Sequence, residues 1–83
     1  MFKVINKING ETKSTTEVQT IEEACRACLD FDWDFGIPEG HSIANTGWWY
    51  LCGEPREYRT EFYPSNGFIS DTDISVSSEI VEI

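Results

Sequence analysis

A chain of 83 residues leaves room for one domain with a modest core. Hydrophobic residues make up 40% and aromatics 13%, which excludes an acidic disordered tail with nothing to bury. The formal charge of -9 repels nucleic acid and anionic lipid and favours a basic protein surface as partner.

Phe2 to Ile8 is rich in β-branched residues, and Asn9-Gly10 after it is a strong hairpin signal leading into a Thr-rich run from Thr12 to Gln19. A tight two-residue loop would place Phe2 opposite Glu17 and Val4 opposite Thr15, an awkward pairing that leaves the register open. The second strand is expected at a sheet edge. Thr20-Ile21-Glu22-Glu23 has the form of a capping box and starts a helix. Its residues Ile21, Ala24, Cys25, Cys28 and Leu29 recur at spacings of three and four, one apolar stripe. The helix is expected to end near Asp30 to Asp32, followed by a long, irregular, acidic and aromatic segment from 30 to 47 with a short strand around His41 to Ala44 and a turn at Asn45 to Gly47. Strands are expected at Trp48 to Cys52, Glu57 to Tyr63, Phe68 to Ser70 and Ile74 to Ile83, with turns at Gly53-Glu54-Pro55 and Pro64 to Gly67. The expectation is one α+β domain over residues 1–83, an antiparallel sheet in the order β-β-α-β-β-β-β with one helix on one face.

The charge is unevenly spread along the chain. Residues 1–29 are balanced, whereas residues 30–83 carry eleven Asp and Glu against only Arg56 and Arg59. The first twenty residues hold no 7–15-residue apolar stretch, and no run approaches the ~18 residues that span a bilayer, so a soluble protein with neither a signal peptide nor a membrane span is expected. Three cysteines are too few and too irregular for a disulfide framework and point to a reducing compartment, with the cytoplasm as default.

Catalytic and metal motifs are weak. Cys25, Cys28, His41 and Cys52 would complete a Cys3His zinc set, but the Cys25–Cys28 pair lies on the apolar stripe of a helix and is read as packing. Asp30, Asp32 and Asp34 alternate like calcium-loop ligands, yet Phe35 stands where the glycine is needed and His41 where the glutamate is. His41 is the one conceivable base for a nucleophile and has no nucleophile motif beside it. No enzyme activity, cofactor or metal is expected.

Aromatic residues among carboxylates suggest an interface. Strand alternation sends Trp48 and Tyr50 to one face of the sheet and Trp49 to the other. Stacking on single-stranded nucleic acid needs a positive groove, and this region is negative. The expected function is that of an inhibitor that occludes a basic, nucleic-acid-binding surface on another protein, with carboxylates standing in for phosphates. The residues expected to carry it are Asp30, Asp32, Trp33, Asp34, Phe35, Glu39, Trp49, Glu54, Glu57 and Glu61, the acids pairing with Lys and Arg and the aromatics anchoring. In size, acidity and plan the chain is of the sort phages encode to disable host defences such as CRISPR or restriction enzymes, a likeness of composition that no motif carries. The alternative is a structural or regulatory homo-oligomer, a homodimer pairing through an exposed edge at Thr12 to Gln19 or Ile74 to Ile83.

Overall fold

The two type I′ turns set the frame. Asn9 and Gly10 (φ 53 and 80°), and Cys52 and Gly53 (φ 53 and 80°), take the positive φ angles that a two-residue hairpin loop needs to match strand twist. They join β1 (Phe2–Ile8) to β2 (Glu11–Val18) and β3 (His41–Leu51) to β4 (Glu54–Pro64). The computed structural model describes residues Met1–Ile83, adding helix α1 (Ile21–Phe35), a single 3-10 turn at Ile69–Asp71 and strand β5 (Ile74–Glu82).

All strands form one antiparallel sheet in the order β2-β1-β5-β4-β3, with the helix packed on one face. The α+β class and the single helix are as expected. The segment Phe68 to Ser70 is not a strand, because Phe68 enters a 3-10 turn closed by the Asp71 carboxylate, which accepts the Phe68 N–H at 3.2 Å.

Bulges settle the registers. In the first hairpin the pairing shifts between Asn6 and Lys7, so that Phe2 faces Val18 and Val4 faces Thr16. One extra residue, Lys13, converts the poor pairing of a uniform two-residue hairpin into one that puts Val18 beside Phe2 on the core side. In the second hairpin the register shifts between Ile43 and Asn45 and again between Trp49 and Tyr50. At the second shift the unpaired residue is Arg56 of β4; on β3 Trp48 packs against the core and Trp49 lies under the Arg59 guanidinium on the outer face.

The helix begins as its cap predicts. The Thr20 hydroxyl accepts from the Glu23 amide at 3.2 Å, while that hydroxyl donates to the Glu23 carboxylate at 3.1 Å, so the glutamate holds the threonine side chain rather than its backbone. The expected end at Asp30 to Asp32 is too early. Phe31 and Phe35 continue the apolar stripe, and Phe35 packs on Phe62 with ring centroids 6.0 Å apart. Gly36 (φ 70°) then stops the helix, its amide donating to the Asp32 carbonyl at 3.1 Å. The irregular segment from 30 to 47 is therefore corrected to two helical turns, a short loop from 36 to 40 and the first half of β3. The turn at Asn45 to Gly47 is likewise strand, paired with Glu61, Thr60 and Arg59.

The core is small and lies where α1 crosses β1 and β5. Val4, Ala24, Cys28 and Ile80 form its centre, with Phe2, Val18, Ile21, Trp48 and Tyr58 packed around them. A polar row runs through the sheet beneath. The buried Ser78 hydroxyl donates to Asn6 Oδ1 at 2.7 Å, and Asn6 Nδ2 donates to Ser14 Oγ at 3.1 Å, so the buried amide is satisfied on both sides. Strand β5 is central, which removes Ile74 to Ile83 as an exposed edge; β2 and β3 are the edges.

Candidate functional site

The charge separates by face as well as by sequence. Alternation from the buried Val4, Ser78 and Thr60 sends Lys3, Lys7 and Arg59 to the face away from the helix, together with Glu17, Glu57, Glu61 and Glu79. There the charges pair: Lys7 with Glu79 at 3.2 Å and Arg59 with Glu57 at 2.8 Å, with the Arg59 guanidinium 5.2 Å above the Trp49 ring. The outer face is thus a mixed, largely neutralised surface. On the helix, Glu22, Glu23, Asp30, Asp32 and Asp34 face solvent or its margin with Arg26 as the sole cation, its Nε 3.6 Å from Asp30.

This divides the expected site residues into two groups. Asp30, Asp32, Trp33, Asp34 and Phe35 fall together on the last two turns of α1, and Glu39 follows in the loop. Trp49, Glu57 and Glu61 lie on the opposite side of the sheet, and Glu54 sits at the β3–β4 turn, paired with Arg56 at 3.4 Å. Among the aromatic anchors, Phe35 is spent on Phe62, Trp48 on Tyr58 (centroids 4.9 Å apart) and Trp49 on Arg59. Trp33 alone of these packs on none of them and is 67% exposed.

Beside Trp33 the end of α1 and the β3–β4 hairpin enclose an open groove of about 350 Å³. Its floor is a hydroxyl ladder: Thr46 Oγ1 donates to the Tyr58 hydroxyl at 3.1 Å and lies 2.9 Å from Thr60 Oγ1. Its apolar walls are Trp33, Ile37 and Ile43, and Asp32 is the only charged residue lining it. Of these, Asp32 and Trp33 are visible in the sequence as members of the acidic and aromatic run. Thr46, Tyr58 and Thr60 are not, because their meeting depends on the bulge after Ile43, which brings Thr46 onto the face of Thr60. The signal available in advance was Ile37-Pro38, an apolar residue placed just past the helix stop.

The thiols and the histidine are dispersed. Cys28 is buried and its thiol is pushed up to about 12, first by desolvation and then by the neighbouring Cys25; its Sγ approaches the Ser78 carbonyl at 3.9 Å. Cys25 is raised for the same principal reason, and Cys52 is exposed at the hairpin turn. His41 is at the start of β3, where its Nδ1 donates to the Glu39 carbonyl at 2.9 Å and its Nε2 lies 3.1 Å from Asp73. No three His, Cys, Asp or Glu side chains converge to hold a metal ion. No helix is long and apolar enough to cross a membrane.

Compared with known proteins, the chain matches no family model, no curated protein and no solved structure.

Proposed function

We propose that the protein binds a basic, nucleic-acid-binding surface of another protein and blocks it, in the cytoplasm of a cell that is the host if the gene is phage-borne. The observation that carries this reading is the end of α1. Asp32 and Asp34 stand in the last turn with no basic residue there, where the helix dipole is already negative, and Asp30 one turn earlier has only Arg26 beside it, at 3.6 Å. The helix end favours positive charge, which a cationic partner would supply. The exposed Trp33 between these carboxylates gives the apolar contact that converts attraction into a seated complex. On this reading the protein acts by occlusion, as a nucleic-acid mimic with no catalytic step of its own and no cofactor, in the manner of anti-CRISPR or anti-restriction inhibitors.

The test is capture from a lysate of the source organism at low salt, followed by competition with duplex DNA and with RNA. The partner should be released by one of these and by raised salt. A partner that stays bound while holding its own nucleic acid would overturn occlusion.

A second reading, a structural or regulatory homodimer, draws on the edge strand β3, which leaves Tyr50 and Leu51 63% and 59% exposed beside its unpaired backbone. A sizing column run over a concentration series decides it: a monomer at every concentration removes this reading.

A further inference from the structure

We propose, resting on the partner-binding reading above, that the groove between the end of α1 and the β3–β4 hairpin is a socket for one arginine side chain of the basic partner. The lining dictates the occupant. Trp33, Ile37 and Ile43 remain 67%, 62% and 45% exposed, so the groove offers apolar surface that the folded chain does not cover itself. Its polar atoms are oxygens. Within the ladder the Tyr58 oxygen receives the Thr46 hydroxyl, and the Thr46–Thr60 contact uses a further hydrogen, so the floor retains lone pairs able to accept. Asp32 adds the one carboxylate at the wall.

The Tyr58 hydroxyl keeps its own hydrogen as well as a lone pair, so it is the Asp32 carboxylate that selects the head: an occupant combines an apolar stem with a positively charged donor. Carboxylates and phosphates are repelled by the Asp32 carboxylate, and a nucleotide would bring its phosphates with it. Lysine meets the charge but presents a compact, strongly hydrated ammonium. Arginine fits each surface at once. Its methylenes lie against Ile37 and Ile43, its planar guanidinium stacks on the Trp33 indole, and its fork of N–H groups reaches the Asp32 carboxylate in a bidentate pair while a remaining N–H meets the Tyr58 oxygen.

The test is an NMR titration of the labelled full chain with three matched short peptides, identical except for a central arginine, lysine or citrulline. Citrulline keeps the shape of arginine and lacks its charge. The arginine peptide should move the Trp33 indole N–H and the amides of Thr46, Tyr58 and Thr60 along saturable curves. The lysine peptide should bind at least about threefold more weakly and citrulline at least about tenfold. Asp32→Asn and Trp33→Ala should each weaken arginine binding at least about fivefold, while Glu17→Gln on the outer face leaves it unchanged. Both altered groove residues are at least partly exposed, and the unperturbed remainder of each spectrum reports that the fold is kept. Equal shifts with arginine and citrulline, shifts confined to the outer face, or indifference to Asp32→Asn would overturn the socket. The two proposals can fail separately. If Asp32→Asn and Trp33→Ala still capture the nucleic-acid-displaceable partner at full strength, occlusion stands and the socket falls. If the arginine peptide fills the groove but no captured partner yields to nucleic acid, the socket stands and occlusion falls.

Discussion

His41 bonds through both ring nitrogens to oxygens that can only accept, the Glu39 carbonyl and the Asp73 carboxylate, and only the doubly protonated ring can donate to both. Its pKa is accordingly raised, first by the bond to Glu39 and then by Asp73. A group whose folded pKa lies above its unfolded value contributes its full stabilisation below the unfolded pKa, about 6.5, and loses it as pH rises through the folded value. Melting curves of the native chain and His41→Gln across pH 5.5 to 8.5 should therefore differ most at the acid end and converge at the alkaline end. A constant gap would mean that the ring acts by packing alone. The cysteines offer a second residue-level check. With its thiol buried and held protonated, Cys28 should resist alkylation under conditions that label the exposed Cys52 fully, and should react only on unfolding, as mass spectrometry of timed samples would read. Cys28→Ala should cost about 1–2 kcal/mol for the small void beside Val4 and Ile80.

Helix α1 carries acids at both ends, and the two ends should respond oppositely. Glu22 and Glu23 lie in the first turn, where negative charge complements the dipole; Asp32 and Asp34 lie in the last, where it opposes. At low ionic strength Asp34→Asn should stabilise by about 0.3–1 kcal/mol and Glu22→Gln should destabilise by a similar amount, both effects shrinking with salt in chemical denaturation. If Asp32 and Asp34 serve a partner, the substitutions that stabilise the free protein should weaken its complex. The same element shows which parts of the fold can be read from a sequence. Its start was legible because Thr20 and Glu23 act within one turn, as was the first hairpin because Asn9-Gly10 is a local device. Its end was not, since Asp and aromatic residues resemble loop composition until Phe35 is seen to have Phe62 to pack on. Asn45-Thr46-Gly47 misled in the same way: a turn signal by composition, it is held extended by pairing with β4. At the site, Asp32 and Trp33 were legible as residue types, but the groove was not, since its floor is assembled from two strands across a bulge.

At the scale of the whole molecule the two sides of the sheet should be functionally unequal. Changing Asp30, Asp32 and Asp34 to Asn, or Glu17, Glu61 and Glu79 to Gln, removes the same charge from opposite sides. Surface plasmon resonance against the captured partner should show a much larger loss for the first set, expressed in kon and compressed by salt. Equal losses would mean that only total charge matters, and a larger loss for the second would move the interface to the face of Trp49. Strand order has a further consequence. Hairpin β1–β2 and hairpin β3–β4 touch each other in the sheet only through β5, which pairs β1 on one side and β4 on the other and brings Phe2 opposite Glu82. Completion of the sheet therefore waits on the most distant partners in the sequence, a step slower than forming either hairpin. During synthesis the inner edges of β1 and β4 stay open until Ile74 and the residues after it have emerged. A nascent chain stalled before that point is two hairpins and a helix without a shared core, presenting bare strand edges to its neighbours and to proteases.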